Sequence, residues 1–159
     1  MAGFSVLVGD PYATCDDGDV ICVTTNAEVK VNGRAVMGRG CAKFVADNFK
    51  DIDKKLADFL LKYGNRVFNL GVNDYKGKKI RIVSFPTKNM WRDNSSIELI
   101  SASAKQLVEL ANKMGFEKVY VPIPGCSNGK LRWSRVKVEL ACLDERFIVY
   151  SLEKHLFDM

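Results

Sequence analysis

Short, β-branched apolar runs alternate along this chain with stretches whose apolar residues recur at helical spacing, and that alternation limits the folds open to it. SVLVG (5–9), DVICVTT (19–25), RVFNL (66–70), KIRIVSF (79–85), KVYVP (118–122) and RFIVYSL (146–152) read as strands, being compact and bounded by Gly, Asp, Lys or Pro. Between them, Ile52, Leu56, Phe59 and Leu60 share one helical face, and Gly64 stands where a C-terminal cap belongs. The spacing Ser95-x-x-Glu98 opens a longer helix with the inward stripe Ile97, Ile100, Ala104, Leu107, Val108 and Ala111. A shorter helix follows Gly40 through Cys41, Phe44, Val45 and Phe49, and another starts at Ser134 with Val136, Leu140 and Leu143 turned inward. Strands joined through helices imply right-handed crossovers. The expected fold class is therefore α/β, a three-layer α/β/α arrangement around a mixed, mostly parallel sheet.

A length of 159 residues suits one domain spanning 1–159, with a single ligand site. The N-terminus has no basic segment leading into a long apolar run, and no run of eighteen apolar residues occurs. The expectation is a monomeric cytoplasmic protein with no membrane partner. The cysteines, at 15, 22, 41, 126 and 142, are odd in number, widely spaced and without a C-x-x-C pair, which argues against a disulfide framework and a zinc site. The single histidine, His155, reads as a surface residue of a terminal turn, so a Ser-His-Asp triad lacks its parts. No metal or cofactor is called for. The formal charge of +5 favours phosphorylated partners and is equally what a lysine-rich solvated surface gives.

In a parallel α/β sheet, ligands bind beyond the carboxyl ends of the strands, so the chemistry is to be sought in the loops that leave those ends. TTNAEVKVNGRAVMGRGCAKF, after the second strand, places Gly38 and Gly40 ahead of a helix whose free N–H groups suit a phosphate. VPIPGCSNGKLRW, after the fifth, is a second small-residue loop; it is one residue too short for a Walker A loop, and Lys130 is followed by Leu131. SFPTKNMWRDNSS, after the fourth, carries Lys88, Trp91 and Arg92. Lys88 is either a surface charge or, if Trp91 and its neighbours desolvate it, an amine of lowered pKa fit for nucleophilic or acid/base work; Arg92 suits a phosphate. Two phosphate-holding loops on one sheet edge imply a ligand with a diphosphate in its middle and a nucleoside at each end.

Taken in order, GD (9–10), TN (25–26), VMGRGCAKF (36–44), FPTKNMWR (85–92) and PIPGCSNGKLRW (122–133) resemble the macrodomain family over nearly the whole chain. They look closest to the branch containing the DarG antitoxin macrodomain and the terminal ADP-ribose protein glycohydrolase. The resemblance implies an ADP-ribose site. Asp10, followed by Pro11, receives the adenine amino group, and Tyr150 or Leu152 covers the adenine face. Thr25 and Asn26 lie at the distal ribose, with Asn26 positioning it. Gly38, Arg39, Gly40, Cys41 and Ala42 wrap the diphosphate and that ribose, while Gly125, Cys126, Ser127, Asn128 and Gly129 close over the phosphates from the other side. Lys88 works at the anomeric carbon as the reactive group, with Asn26 as the second catalytic residue, and Thr87 is a further ligand contact.

One departure matters. Where the glycohydrolase of that branch has a catalytic aspartate, this chain has Gly129, as DarG-like loops also do. That shifts the expected reaction from a carboxylate-linked ADP-ribose toward one attached to a nucleic acid base. The insertion AEVKVNGRAV is compatible both with a phosphate-bearing macromolecule and with a solvated hairpin. The expectation is thus a hydrolase of ADP-ribosyl bonds on nucleic acid or protein. Dephosphorylation of ADP-ribose 1″-phosphate and non-catalytic capture of ADP-ribose are its alternatives.

Overall fold

A computed structural model describes residues 3–127 and 129–159. In chain order the elements are β1 (Ser5–Val8), α1 (Pro11–Thr14), β2 (Val20–Thr25), α2 (Gly40–Asn48), α3 (Ile52–Tyr63), β3 (Phe68–Tyr75), β4 (Lys78–Pro86), α4 (Ile97–Met114), β5 (Val119–Pro122), α5 (Trp133–Glu139) and β6 (Phe147–Ser151), followed by a 3₁₀ turn (Lys154–Asp158) that carries His155 at the surface. They build one six-stranded sheet in the order β1-β6-β5-β2-β4-β3, parallel except for the β3–β4 pair.

Alternation along the central strands assigns the layers. Val20 and Cys22 of β2, Val83 and Phe85 of β4, and Val119 and Val121 of β5 pack with α4 and α5 on one face. Ile21, Val23, Ile80, Ile82 and Tyr120 pack with α1, α2 and α3 on the other. Both cores are closed, with Ile21, Ile82, Phe85, Ile100, Leu107 and Phe147 fully buried. Each such side chain contributes about 1.5–3 kcal/mol, and this double cover explains why the central strands read as unbroken apolar runs. No helix among the described residues is long and apolar enough to cross a membrane.

Three local expectations are corrected. The long helix is capped by Ser96, whose Oγ accepts from Leu99 N at 3.2 Å, one residue later than the 95–98 spacing indicates. Ser95 is buried instead, its N–H donating to Gly129 O at 3.1 Å. The strand expected at 66–70 runs on to Tyr75, because a two-residue turn with Lys76 and Gly77 both at positive φ folds it back antiparallel along β4. Gly71 sits at a bulge between Asn69 and Val72, where Lys55 Nζ caps the Leu70 carbonyl at 3.1 Å. The last helix begins at Trp133 and ends at Glu139, so Leu143 reaches the core from the segment beyond it.

Candidate functional site

The five parallel strands end on one edge of the sheet, and the loops that leave them converge there. Hydrogen bonds between neighbouring strand ends fix this edge: Gly9 N to Ser151 O at 2.9 Å, Ile123 N to Tyr150 O at 2.7 Å, and Thr87 N to Thr25 O at 3.0 Å. Between the loops lies a cleft of about 640 Å³, a size that suits a dinucleotide-like ligand.

The cleft gathers residues from the three loops that follow β2, β4 and β5 and from the ends of β1 and β6. Asp10, Thr25, Asn26, Gly38, Arg39, Gly40, Cys41, Ala42, Thr87, Lys88, Gly125, Ser127, Gly129, Tyr150 and Leu152 line it. Two expected residues stand behind the wall. Pro11 is buried as the first residue of α1, and Cys126 is turned into the core, its Sγ donating to Pro124 O at 3.4 Å. Burial pushes the Cys126 thiol up to about 11, so it is no nucleophile at neutral pH. Asn128 lies outside the described residues.

At one end, Asp10 caps α1 by accepting from Tyr12 N at 3.0 Å through one carboxylate oxygen. Tyr150 is buried in the floor there, and Leu152 stands exposed beside it. Tyr12 and Phe44 also line this end, their ring centroids 4.5 Å apart, with Phe49 and Tyr75 packed behind. The helical stripe of α2 marks Phe44 as core; only the assembled fold shows it lining the cleft as well.

Along the middle, the first turn of α2 presents Gly40, Cys41 and Ala42 to the cleft. Its N-cap, Arg39, makes no side-chain cap bond, so no side-chain oxygen competes for these amides. Cys41 Sγ lies 3.2 Å from Thr24 Oγ1, tying α2 to β2, and burial raises its pKa. Opposite, the Gly125–Gly129 loop is held by Leu131 N donating to Gly125 O at 2.8 Å. A Cβ at Gly125 would lie 2.9 Å from both Leu131 Cδ1 and Ser95 Cβ, on a backbone already at φ 72°. One at Gly129 would fall on Ser95 Oγ and 2.6 Å from Gly125 O. The space that a side chain at Gly129 would take is thus filled by Ser95, which itself lines the cleft.

At the far end, Lys88 is half-buried, its Nζ donating to Asp93 O at 3.3 Å. Burial, and next the charge of Arg39, lower its pKa below the ordinary lysine range, against an opposing pull from Asp93. Trp91 joins the wall here, its N–H donating to Glu28 Oε1 at 3.0 Å. Both ends of the Asn26 amide hold the loop: Nδ2 donates to Val36 O at 3.1 Å and Oδ1 accepts from Glu28 N at 2.9 Å. The insertion is a small hairpin, with a Val29–Ala35 bridge, and its Arg34 is paired with Asp51 and Asp53. The cleft is therefore polarised, with carboxylates of Asp10 and Glu153 at one end and cations of Lys88 and Arg39 at the other.

A six-stranded mixed sheet between two helical layers, with a dinucleotide-sized cleft across its strand ends and two glycine loops facing each other, defines a macrodomain. It is similar to the DarG macrodomains in fold and in sequence. Two solved structures share the fold: the macrodomain of Mycobacterium tuberculosis DarG, with a TM-score of 0.74, 23% identity and coverage of 94% of this chain and 98% of that one, and Thermosipho africanus DarTG in complex with ADP-ribose, with a TM-score of 0.73, 24% identity and coverage of 94% and 42%. In sequence, the chain is 30% identical over 132 residues to the DNA ADP-ribosyl glycohydrolase of M. tuberculosis, covering 80% of this chain and 37% of that protein. It is 28% identical over 131 residues to a DNA ADP-ribosyl transferase–DNA ADP-ribosyl glycohydrolase fusion protein of T. africanus, covering 68% and 32%. The chain thus spans about a third of the length of these relatives. No family model matches it.

Proposed function

We propose that the chain binds ADP-ribose in this cleft and hydrolyses the bond joining it to a nucleic acid base, with Lys88 as the reactive group. The observation that carries the reading is a partly desolvated lysine of lowered pKa at the cationic end of a cleft whose other end offers Asp10 and an aromatic floor. That polarity orients the ligand: the adenine amino group meets Asp10, the diphosphate lies between α2 and the Gly125–Gly129 loop, and the distal ribose reaches Lys88. Relatives named DNA ADP-ribosyl glycohydrolase support the reaction class.

In this scheme the free amine of Lys88 attacks the anomeric carbon of the distal ribose. The bond from that carbon to the base breaks, its electron pair leaving with the base, which takes up the proton the amine loses. Water then displaces the lysine, giving ADP-ribose and the restored amine. Asn26 keeps the loop around the ribose in place, and Thr25 and Thr87 flank it. The protein acts as a monomer in the cytoplasm, folded as one domain over 1–159.

The test combines calorimetric titration with ADP-ribose and release of ADP-ribose from modified single-stranded DNA. Lys88→Ala is expected to keep ADP-ribose binding and lose about two orders of magnitude or more in turnover. Equal turnover by wild type and variant removes Lys88 from the reaction, and binding with no turnover by the wild type leaves a capture module.

A further inference from the structure

The rim of the cleft beside Lys88 carries two residues, Trp91 and Arg92, to which the ADP-ribose scheme gives no role, next to Arg39, which that scheme already uses. The Trp91 indole is overlaid by two guanidinium groups, Arg39 at 5.3 Å and Arg92 at 5.0 Å from its centroid. Among the described residues Arg39, Arg92 and Lys88 form no ion pair, as is also true of Arg66, Arg81 and Arg132, whereas Arg34, Arg135 and Arg146 are each paired with a carboxylate. The two nearby carboxylates are committed to the loop's own backbone: Glu28 Oε1 accepts from Trp91 N at 3.0 Å, and Asp93 Oδ2 from Met90 N at 3.2 Å. The loop is anchored from outside as well, by Ala27 N donating to Asn89 O at 2.8 Å and Asn65 Nδ2 to Lys88 O at 3.2 Å. Arg92 is exposed and Trp91 partly so. The result is a cationic platform at the mouth of the cleft, an indole overlaid by guanidinium groups of which that of Arg92 is exposed.

We propose that this platform is a subsite for single-stranded nucleic acid, on which the base of a nucleotide flanking the ADP-ribosylated one stacks over the exposed Arg92 guanidinium carried on Trp91, while a phosphate of the strand meets Arg39. The inference rests on the proposed function and extends it from the modified base to the strand that carries it. Bases stack on indole and guanidinium planes alike, and each flanking nucleotide brings one negative charge. An acidic peptide would satisfy the cations and leave the flat surface unused.

Fluorescence anisotropy with an unmodified, labelled oligothymidylate at low salt tests this, with an ADP-ribose titration on the same proteins. The wild type binds the strand. Trp91→Ala weakens strand binding roughly 5- to 150-fold, the range that loss of one base–aromatic stack gives, and by more than it weakens ADP-ribose binding. Trp91→Phe recovers most of the loss. Arg92→Ala, which removes the exposed plane itself, weakens strand binding by a comparable factor. A wild type that binds ADP-ribose but no strand, or a Trp91→Ala protein that binds the strand like wild type, overturns the subsite and leaves the proposed function standing. Strand binding lost in Trp91→Ala, in a protein that does not bind ADP-ribose, supports the platform and overturns the proposed function. Release of ADP-ribose from a modified peptide as fast as from a modified oligonucleotide, with no response to Trp91→Ala, also overturns the subsite.

Discussion

Replacing Gly129 with alanine sets one methyl group against three neighbours at once: Ser95 Oγ, Ser95 Cβ at 2.7 Å and Gly125 O at 2.6 Å. The hydroxyl can rotate away. Ser95 Cβ is less free, since Ser95 N is hydrogen-bonded to Gly129 O, and Gly125 O is backbone that also accepts from Leu131 N. Two of the three contacts therefore yield only if the loop shifts, and the cost belongs in the upper part of the overpacking range, about 2–3 kcal/mol. For a domain of this size that lowers Tm by roughly 4–12 °C, and the shifted loop should also weaken ADP-ribose binding. Adding Ser95→Gly removes both serine contacts and leaves the carbonyl, so the double variant should regain part of the loss, with a coupling of about 1–2 kcal/mol. Thermal unfolding of the four proteins in the cycle measures this directly, with calorimetric ADP-ribose titration as the second readout. An alanine variant with wild-type Tm and affinity, or additive effects in the cycle, refutes the interlock between Ser95 and Gly129. The same geometry predicts that Gly129→Asp, made to restore a lysine–aspartate pair, disturbs the loop rather than adding a catalytic group.

Three further outcomes follow from particular contacts. Ser96→Ala should lower stability by about 0.5–2 kcal/mol through loss of the α4 cap, read as a fall in Tm, and a result within error of wild type rejects that cap. In the proposed scheme turnover needs the free amine of Lys88, so its rate should rise with pH to a plateau above that group's lowered pKa. Arg39→Ala removes a positive charge that favours the free amine, so the pKa rises and the whole profile moves to higher pH; an unmoved profile excludes that electrostatic role. Of the five thiols, only Cys142 is exposed, so a maleimide should modify it first in the folded protein, and Cys142→Ser should abolish that fast phase.

How much of the site could be read from the chain depended on how local its causes are. The turn of Gly38 to Ala42 into α2, the small-residue loop at 125–129 and Lys88 beyond β4 each announce themselves within a dozen residues. Phe44 does not, because an aromatic on an apolar helical stripe has the same spacing whether it meets the core or a cleft wall. Ser95 reads as a cap because Ser95 and Ser96 are adjacent and Glu98 follows both; burial under Gly129 decided between them. The hairpin at Lys76–Gly77 was hidden within a lysine-rich stretch that also reads as solvated surface.

By itself, the sequence determined the order of the six strands and of the helices after Gly40, the three-layer class and the loops that carry chemistry, but not the short α1 at Pro11–Thr14, since periodicity and Gly, Pro and Ser punctuation act between residues a few positions apart and a single turn has no period to read. Tertiary structure alone decided the sheet order, which sets β1 beside β6 and so brings Asp10 to Tyr150 and Leu152 from opposite ends of the chain. It also decided the overlay of Arg39 and Arg92 on Trp91, the exclusion of a side chain at Gly129 and the lowered pKa of Lys88. Each of these depends on burial and on distances between residues far apart in sequence, which the packing of the whole sheet fixes and no short window of residues contains.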